Sequence, residues 1–223
     1  MVSIIDYDAG NVRSVENILR VMGQEYRTTS SEEEILASDH VILPGVGAFG
    51  DAMDKLSSRG LVDVIHEAVR RDIPFLGICL GQQLLFEGSD ESPGVRGLSL
   101  LPGRIVRIPD GDGRKVPQIG WNELVTAESG EMPSADPDDV KLRPARLLKG
   151  LPEHSFVYFV HSYFLPVEKT SAEEFITSYC EYGEKAPVRI GASVESGNVF
   201  GCQFHPEKSG TVGQRILENF LAL

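Results

Sequence analysis

The sequence predicts an α/β fold on a mostly parallel central sheet, with additional antiparallel strands in its second half. Three observations predict it. Up to Gly88, short apolar runs alternate with segments of helical spacing; after Gly88, candidate strands follow one another between turn residues; and an amphipathic segment closes the chain. Strands that alternate with helices form a sheet covered on both faces, which holds its ligands at the carboxyl ends of the strands. The 223 residues suffice for one domain over residues 1–223, which would bury roughly 70% of the surface its unfolded chain exposes.

Residues 2–7 read as a buried strand. Val12, Val15, Ile18, Leu19 and Met22 then recur at helical spacing, with Asn11 placed to cap the start and Gly23 the end. The alternation continues through a strand at 40–43, a helix at 61–71 with Leu61, Val64, Ile65, Ala68 and Val69 on one face, a strand at 75–78 and a helix from Leu80. Beyond Gly88 the candidate strands are 104–108, 118–125, 156–160, 175–180, 188–194 and 199–203, and Glu195-Ser-Gly-Asn198 suits a hairpin turn. Val212, Ile216, Leu217, Phe220 and Leu221 form the last helical face. Residues 128–139 contain five acids, two prolines and no aromatic residue, which predicts a mobile surface loop.

Composition narrows the function. Thirty-three acidic against 21 basic residues give a net charge of −12, without a basic cluster. This argues against nucleic acid or an anionic membrane as the main partner. The longest uncharged stretch, 73–86, is short and interrupted by Pro74, Gly77 and Gly81, and no positively charged leader precedes Asp6. No membrane span or signal peptide is expected. Cys79, Cys180 and Cys202 are odd in number and widely spaced, which suits a reduced, cytoplasmic chain better than a disulfide framework or a metal site. Cys180 and Cys202 read as small buried hydrophobes within strands.

The strongest local signal is Gly77-Ile-Cys-Leu-Gly81, between a strand and a helix. Glycines on both sides permit the cramped turn of a nucleophile elbow, with Cys in place of Ser. Cys79 would then sit at a helix N-terminus, where backbone N–H groups and the dipole favour the thiolate. The competing reading is a buried structural cysteine between packing glycines. Phe204-His-Pro-Glu207 supplies what a nucleophile needs: His205 as base, and Glu207 two residues on to fix the imidazole tautomer. His66-Glu67 fails the zinc-protease pattern because position 70 is Arg. Gly45-Val-Gly-Ala-Phe-Gly50 matches GxGxxG, but after a later strand than a dinucleotide fingerprint would. The alternative is that this loop gives one backbone N–H to an oxyanion and Leu80 the other, each worth about 3 to 4 kcal/mol in a hydrolase.

Together, Gly77-Ile-Cys-Leu-Gly-Gln-Gln83 and Phe204-His-Pro-Glu207 resemble the class I (triad-type) glutamine amidotransferases, whose domain is flavodoxin-like. Asp6-Tyr-Asp-Ala-Gly-Asn11, Pro44-Gly-Val-Gly-Ala-Phe49, Pro117-Gln-Ile-Gly-Trp-Asn122, Phe159-Val-His-Ser-Tyr163 and His205-Pro-Glu-Lys-Ser-Gly210 are similar, in that order, to the glutaminase subunits that serve imidazole glycerol phosphate synthases. The resemblance implies that Cys79 attacks the amide carbon of L-glutamine, His205 moves the protons and Glu207 orients His205. It implies oxyanion donors at Val46 and Leu80, the first dependent on the partner for its orientation, and glutamine contacts at Gly47, Gln83, Ser162 and Tyr163. It places Asn11, Trp121, Asn122 and Lys208 at the mouth facing a cyclase subunit built as a (β/α)8 barrel, in a heterodimer. On their own, Asn11 reads as a helix cap, Gln83 as a solvent-facing helix residue, Lys208 as a surface cation and Trp121 as core. Thiolate, imidazole and two backbone donors suffice for acyl transfer, so no metal or organic cofactor is required. Three rivals remain: a glutaminase for another synthase, a nucleotide-binding module using the Gly45 loop, and a non-catalytic interaction domain.

Overall fold

A computed structural model describes residues 1–8, 11–127, 142–167 and 174–223. The expected acidic loop at 128–139 lies outside the described residues. The first half is built from β1 (Val2–Ile5), α1 (Val12–Val21), β2 (Tyr26–Thr29), α2 (Glu32–Leu36), β3 (His40–Gly45), α3 (Phe49–Ser58), α4 (Leu61–Arg70), β4 (Phe75–Cys79) and α5 (Leu80–Leu84). The second half contributes β5 (Gly88–Ser89), β6 (Arg104–Arg107), β7 (Gln118–Glu123), β8 (Val125–Thr126), β9 (Phe156–His161), β10 (Tyr163–Phe164), β11 (Ile176–Tyr182), β12 (Val188–Ser196), β13 (Val199–Cys202) and α6 (Gly210–Leu221).

Eight strands form the main sheet in the order β2-β1-β3-β4-β13-β12-β11-β8. From β2 through β13 every neighbouring pair is parallel, and from β13 to β8 every pair is antiparallel. The parallel strands are apolar throughout because successive residues enter opposite layers. Ile5, Val41, Leu43 and Phe75 pack with Phe49, Leu56 and Ile65 on one face. Val2, Ile4, Ile42 and Leu76 pack with Val15, Leu19, Ile216 and Phe220 on the other.

In the first half, three elements escaped the sequence reading. Strand β2 carries Arg27 and two threonines, and as an edge strand it needs no apolar face toward a second neighbour. Helix α2 is only five residues long. Helix α3 hides behind the glycine motif, although its buried Phe49, Ala52, Met53 and Leu56 have the spacing of a helical face. Two small sheets, β10-β6-β5 and β7-β9, lie outside the main one.

The parallel register positions the chemistry. Gly45 lies opposite Cys79 across the β3–β4 pair, and Cys202 lies opposite Ile78 across β13–β4. The glycine loop therefore leaves the sheet on one side of Cys79, and the chain leading to His205 leaves on the other. At the elbow the packing has no slack: a Cβ on Gly81 would lie 2.0 Å from the carbonyl oxygen of Leu43. In an open helix Gly→Ala stabilises by about 1 kcal/mol. Gly81→Ala is expected to do the opposite, lowering the urea midpoint by an amount equivalent to at least about 2 kcal/mol because the overlap is with backbone; an unchanged or raised midpoint contradicts this packing.

Candidate active site

Cys79 ends β4 and precedes α5 with φ 54° and ψ −107°. Holding a non-glycine residue there costs on the order of 1–3 kcal/mol, as is common where a side chain must be presented to a site. The following helix is only five residues long, so the dipole support expected from the sequence is confined to the free N–H groups of a single turn. The Sγ atom lies 3.8 Å from the Val160 carbonyl and 3.8 Å from Gln203 Nε2.

His205 follows β13, and its segment is clamped to β9. The His205 N–H donates to the Tyr158 carbonyl (2.9 Å), the Tyr158 N–H donates to Ser209 Oγ (3.0 Å), and that hydroxyl donates to the His205 carbonyl (2.7 Å). His205 Nδ1 contacts Glu207 Oε1 at 2.7 Å. A carboxylate oxygen only accepts, so Nδ1 carries the proton and Nε2 is the nitrogen left for exchange. Nε2 is buried without a hydrogen-bond partner among the described residues. Burial pushes the imidazole down, but Cys79 and Glu207 together outweigh it and raise its pKa to about 9.

Glu207 holds a second contact: Asn11 Nδ2 donates to the same Oε1 at 2.6 Å. The expected helix cap is thereby corrected. Asn11 adopts a left-handed backbone (φ 76°) and makes no side-chain cap to α1. Its amide instead helps fix a carboxylate whose side chain is fully buried.

A cavity of about 300 Å³ opens beside Cys79 and His205. Val46, Gly47, Leu80, Gln83, Ser162 and Tyr163 all line it, as do Glu91, Pro117 and His161, which the sequence did not single out as site residues. The glycines of the β3–α3 loop serve this geometry. A Cβ on Gly45 would lie 2.7 Å from Tyr7 Oη and 2.9 Å from Leu80 Cβ, and Gly47 has φ +102°. Gly45 therefore lets the loop approach the Cys79–Leu80 turn, a role that needs no nucleotide. Tyr7, buried beneath it, donates to the Pro44 carbonyl at 3.0 Å.

Gln83 is buried rather than solvent-facing; it donates to the Tyr163 carbonyl at 2.8 Å and to Gln203 Oε1 at 3.0 Å. His161 Nδ1 also donates to the Tyr163 carbonyl (3.0 Å), and burial lowers its pKa to about 4. It is a neutral imidazole at the cavity wall.

The four residues expected at a partner face do not all come together. Trp121 is not core: it is 56% exposed on β7, edge-on to Tyr158. Lys208 Nζ sits 5.9 Å from the centre of the same Tyr158 ring. Asn122 instead donates to the Glu181 carbonyl at 2.9 Å, and Asn11 is engaged with Glu207.

The other two cysteines are fully buried. Burial pushes the Cys180 thiol up to about 12, and burial with the Glu207 charge pushes the Cys202 thiol higher still. Iodoacetamide applied to the native protein is expected to modify Cys79 alone. Peptide mapping that finds Cys180 or Cys202 labelled before unfolding contradicts this arrangement.

The family model "Glutamine amidotransferase class-I" matches residues 3–223. The imidazole glycerol phosphate synthase subunit HisH of Bacillus cereus (strain G9842) is 47% identical over 220 residues, covering 99% of this chain and 93% of that protein. The subunit of the same name from Bacillus thuringiensis (strain Al Hakam) is 46% identical over 222 residues, with the same shares of each chain covered. Among solved structures, a glutamine amidotransferase superposes with a TM-score of 0.70 at 19% identity, over 99% of this chain and 97% of that one. PurLQS from Thermotoga maritima superposes with a TM-score of 0.67 at 20% identity, over 99% of this chain and 97% of the matched one. These structural likenesses bear on the fold alone. The chain belongs to the class-I glutamine amidotransferase family.

Proposed function

We propose that the chain is the glutaminase subunit of an imidazole glycerol phosphate synthase. It hydrolyses L-glutamine to glutamate and ammonia and passes the ammonia to a cyclase subunit in histidine biosynthesis. The observation that carries this reading is the placing of Cys79, with the His205–Glu207 pair, beside one cavity of amino-acid size. Near-full-length similarity to HisH subunits supports the choice of synthase.

The chemistry follows from the positions. Cys79 gives its proton to His205 Nε2 and its sulfur attacks the side-chain amide carbon of glutamine. The carbonyl oxygen takes up negative charge, and the N–H groups of Val46 and Leu80, residues that line the same cavity, are the donors proposed to hold it. His205 returns the proton to the leaving nitrogen, ammonia departs, and a thioester remains on Cys79. Water, deprotonated by His205, then attacks the thioester; glutamate leaves and the thiol is restored. Throughout, Glu207 holds the imidazole and stabilises its charged form.

The partner follows from the acid–base behaviour of the product. Ammonia in bulk water at neutral pH becomes ammonium, which is no nucleophile, so delivery needs a joined interface. The face formed by exposed Ile119, Trp121 and Lys208 around the half-buried Tyr158 ring is the proposed seat of a (β/α)8 cyclase subunit in a heterodimer, close in sequence to both His161 and Glu207.

Cys79→Ala removes the covalent route and is expected to fold normally while losing glutamine hydrolysis by several orders of magnitude; substantial residual turnover rules out the nucleophile assignment. The measurement is glutamate release in the presence of the cyclase subunit. A pH profile tests the other two residues. The leaving nitrogen needs the protonated imidazole, so kcat/KM is expected to fall as the pH rises through about 9. Glu207→Gln removes a group that raises His205, so the alkaline limb should move down toward the ordinary imidazole range near ~6.5. A limb that stays in place in the variant contradicts the pairing.

A further inference from the structure

We propose that Gln203 is a positioning residue for the nucleophile: its side-chain N–H holds Cys79 Sγ and favours the thiolate, with its orientation fixed through Gln83. The inference rests on Cys79 being the nucleophile. It concerns a residue outside the Cys79, His205 and Glu207 set.

The side chain of Gln203 is fully buried, and its two ends face different partners. Oε1 accepts from Gln83 Nε2 at 3.0 Å, and Nε2 lies 3.8 Å from Cys79 Sγ, within reach of an N–H···S contact. The main chain sets this placement. The Gln203 N–H donates to the Ala192 carbonyl (2.8 Å), and the preceding Cys202 is in register with Ile78, so Gln203 emerges beside Cys79.

The direction of the amide is determined by an acceptor that cannot turn around. The Tyr163 carbonyl accepts from Gln83 Nε2 at 2.8 Å, so the Gln83 NH2 must face that way. Its second hydrogen then requires an acceptor in Gln203, which is Oε1. Turning the Gln203 amide would set two NH2 groups against each other. The Gln203 NH2 therefore faces the sulfur, and the donors run in one sense from the Tyr163 carbonyl to Cys79.

The sulfur has two neighbours of opposite preference. The Val160 carbonyl, 3.8 Å away, can only accept and so favours the S–H form; the Gln203 N–H can donate and so favours S⁻. When the proton moves from Sγ to His205 Nε2, the contact with Gln203 strengthens and the contact with Val160 is lost. Gln203 also keeps Sγ in one rotamer at a strained backbone position, which shortens the search for the attack geometry. Because Gln83 lines the cavity that would receive glutamine, the same relay ties the amide wall of that cavity to the sulfur.

The test uses the full chain and reads the sulfur directly. Gln203→Met keeps the side-chain length and removes the donor; Gln203→Asn withdraws the amide by one methylene and is the second variant should the first fail to fold. The rate of Cys79 alkylation by iodoacetamide is measured against pH, with Cys79→Ala as background. In either folded variant labelling near neutrality is expected to slow about tenfold, while the plateau at high pH matches wild type. A general structural loosening would move the plateau instead. A folded variant with the wild-type profile overturns the proposal, as does one that changes the plateau while labelling near neutrality keeps the same fraction of it. Alkylation does not depend on glutamine being the substrate, so this outcome is separate from the Cys79→Ala hydrolysis test.

Discussion

The site depends on the parallel register of three neighbouring strands. Strand β4 presents Cys79, β3 brings Gly45 opposite it, and β13 ends one residue before Gln203 and three before His205. In a parallel sheet the three carboxyl ends necessarily share one edge. A loop that carries one proposed oxyanion donor, the proposed nucleophile and its proposed base thus meet at the carboxyl ends of three paired strands. The tight approach of Gly81 to Leu43 and of Gly45 to Leu80 keeps this edge compact.

Around that edge, buried polar groups form two connected sets. One runs from Asn11 through Glu207 to His205. The other runs from the Tyr163 carbonyl through Gln83 and Gln203 to Cys79. In a low-dielectric interior, such sets are stable only when nearly every donor has an acceptor, and satisfied networks hold side chains in single orientations. The exceptions are informative. His205 Nε2, Glu207 Oε2 and, at the cavity wall, His161 Nε2 lack partners among the described residues, and the first is the nitrogen that would exchange a proton in the proposed mechanism. Asn11, the residue preceding α1, thereby ties the start of that helix to the carboxylate.

Much of this was legible in the sequence where chemistry demanded adjacent residues. Cys79 between glycines and Glu207 two residues after His205 are local patterns, and the apolar runs of β1, β3 and β4, alternating with helices, identified a parallel core; that β13 from the second half joins it in parallel is seen only in the fold. What could not be read depended on contacts distant along the chain. Asn11 looked like a cap because a short polar residue before a helix usually caps it; its actual acceptor is 196 positions away. Trp121 looked like core because large aromatics usually are, yet it sits on the two-stranded β7–β9 sheet, which leaves that side uncovered. Gln203 gave one signal, an amide at the end of the apolar run Val199-Phe-Gly-Cys. Only the fold supplies its partners.

The central claim is that Cys79 carries the substrate's acyl group as a thioester. The most direct measurement is rapid acid quenching of the chain turning over isotopically labelled L-glutamine with its cyclase subunit, followed by mass spectrometry of the proteolysed protein. The account predicts a labelled glutamyl group on the peptide containing Cys79, appearing before free glutamate reaches its steady rate and absent in Cys79→Ala. Glutamate formed at full rate with no such adduct, or with the label on another residue, would contradict it.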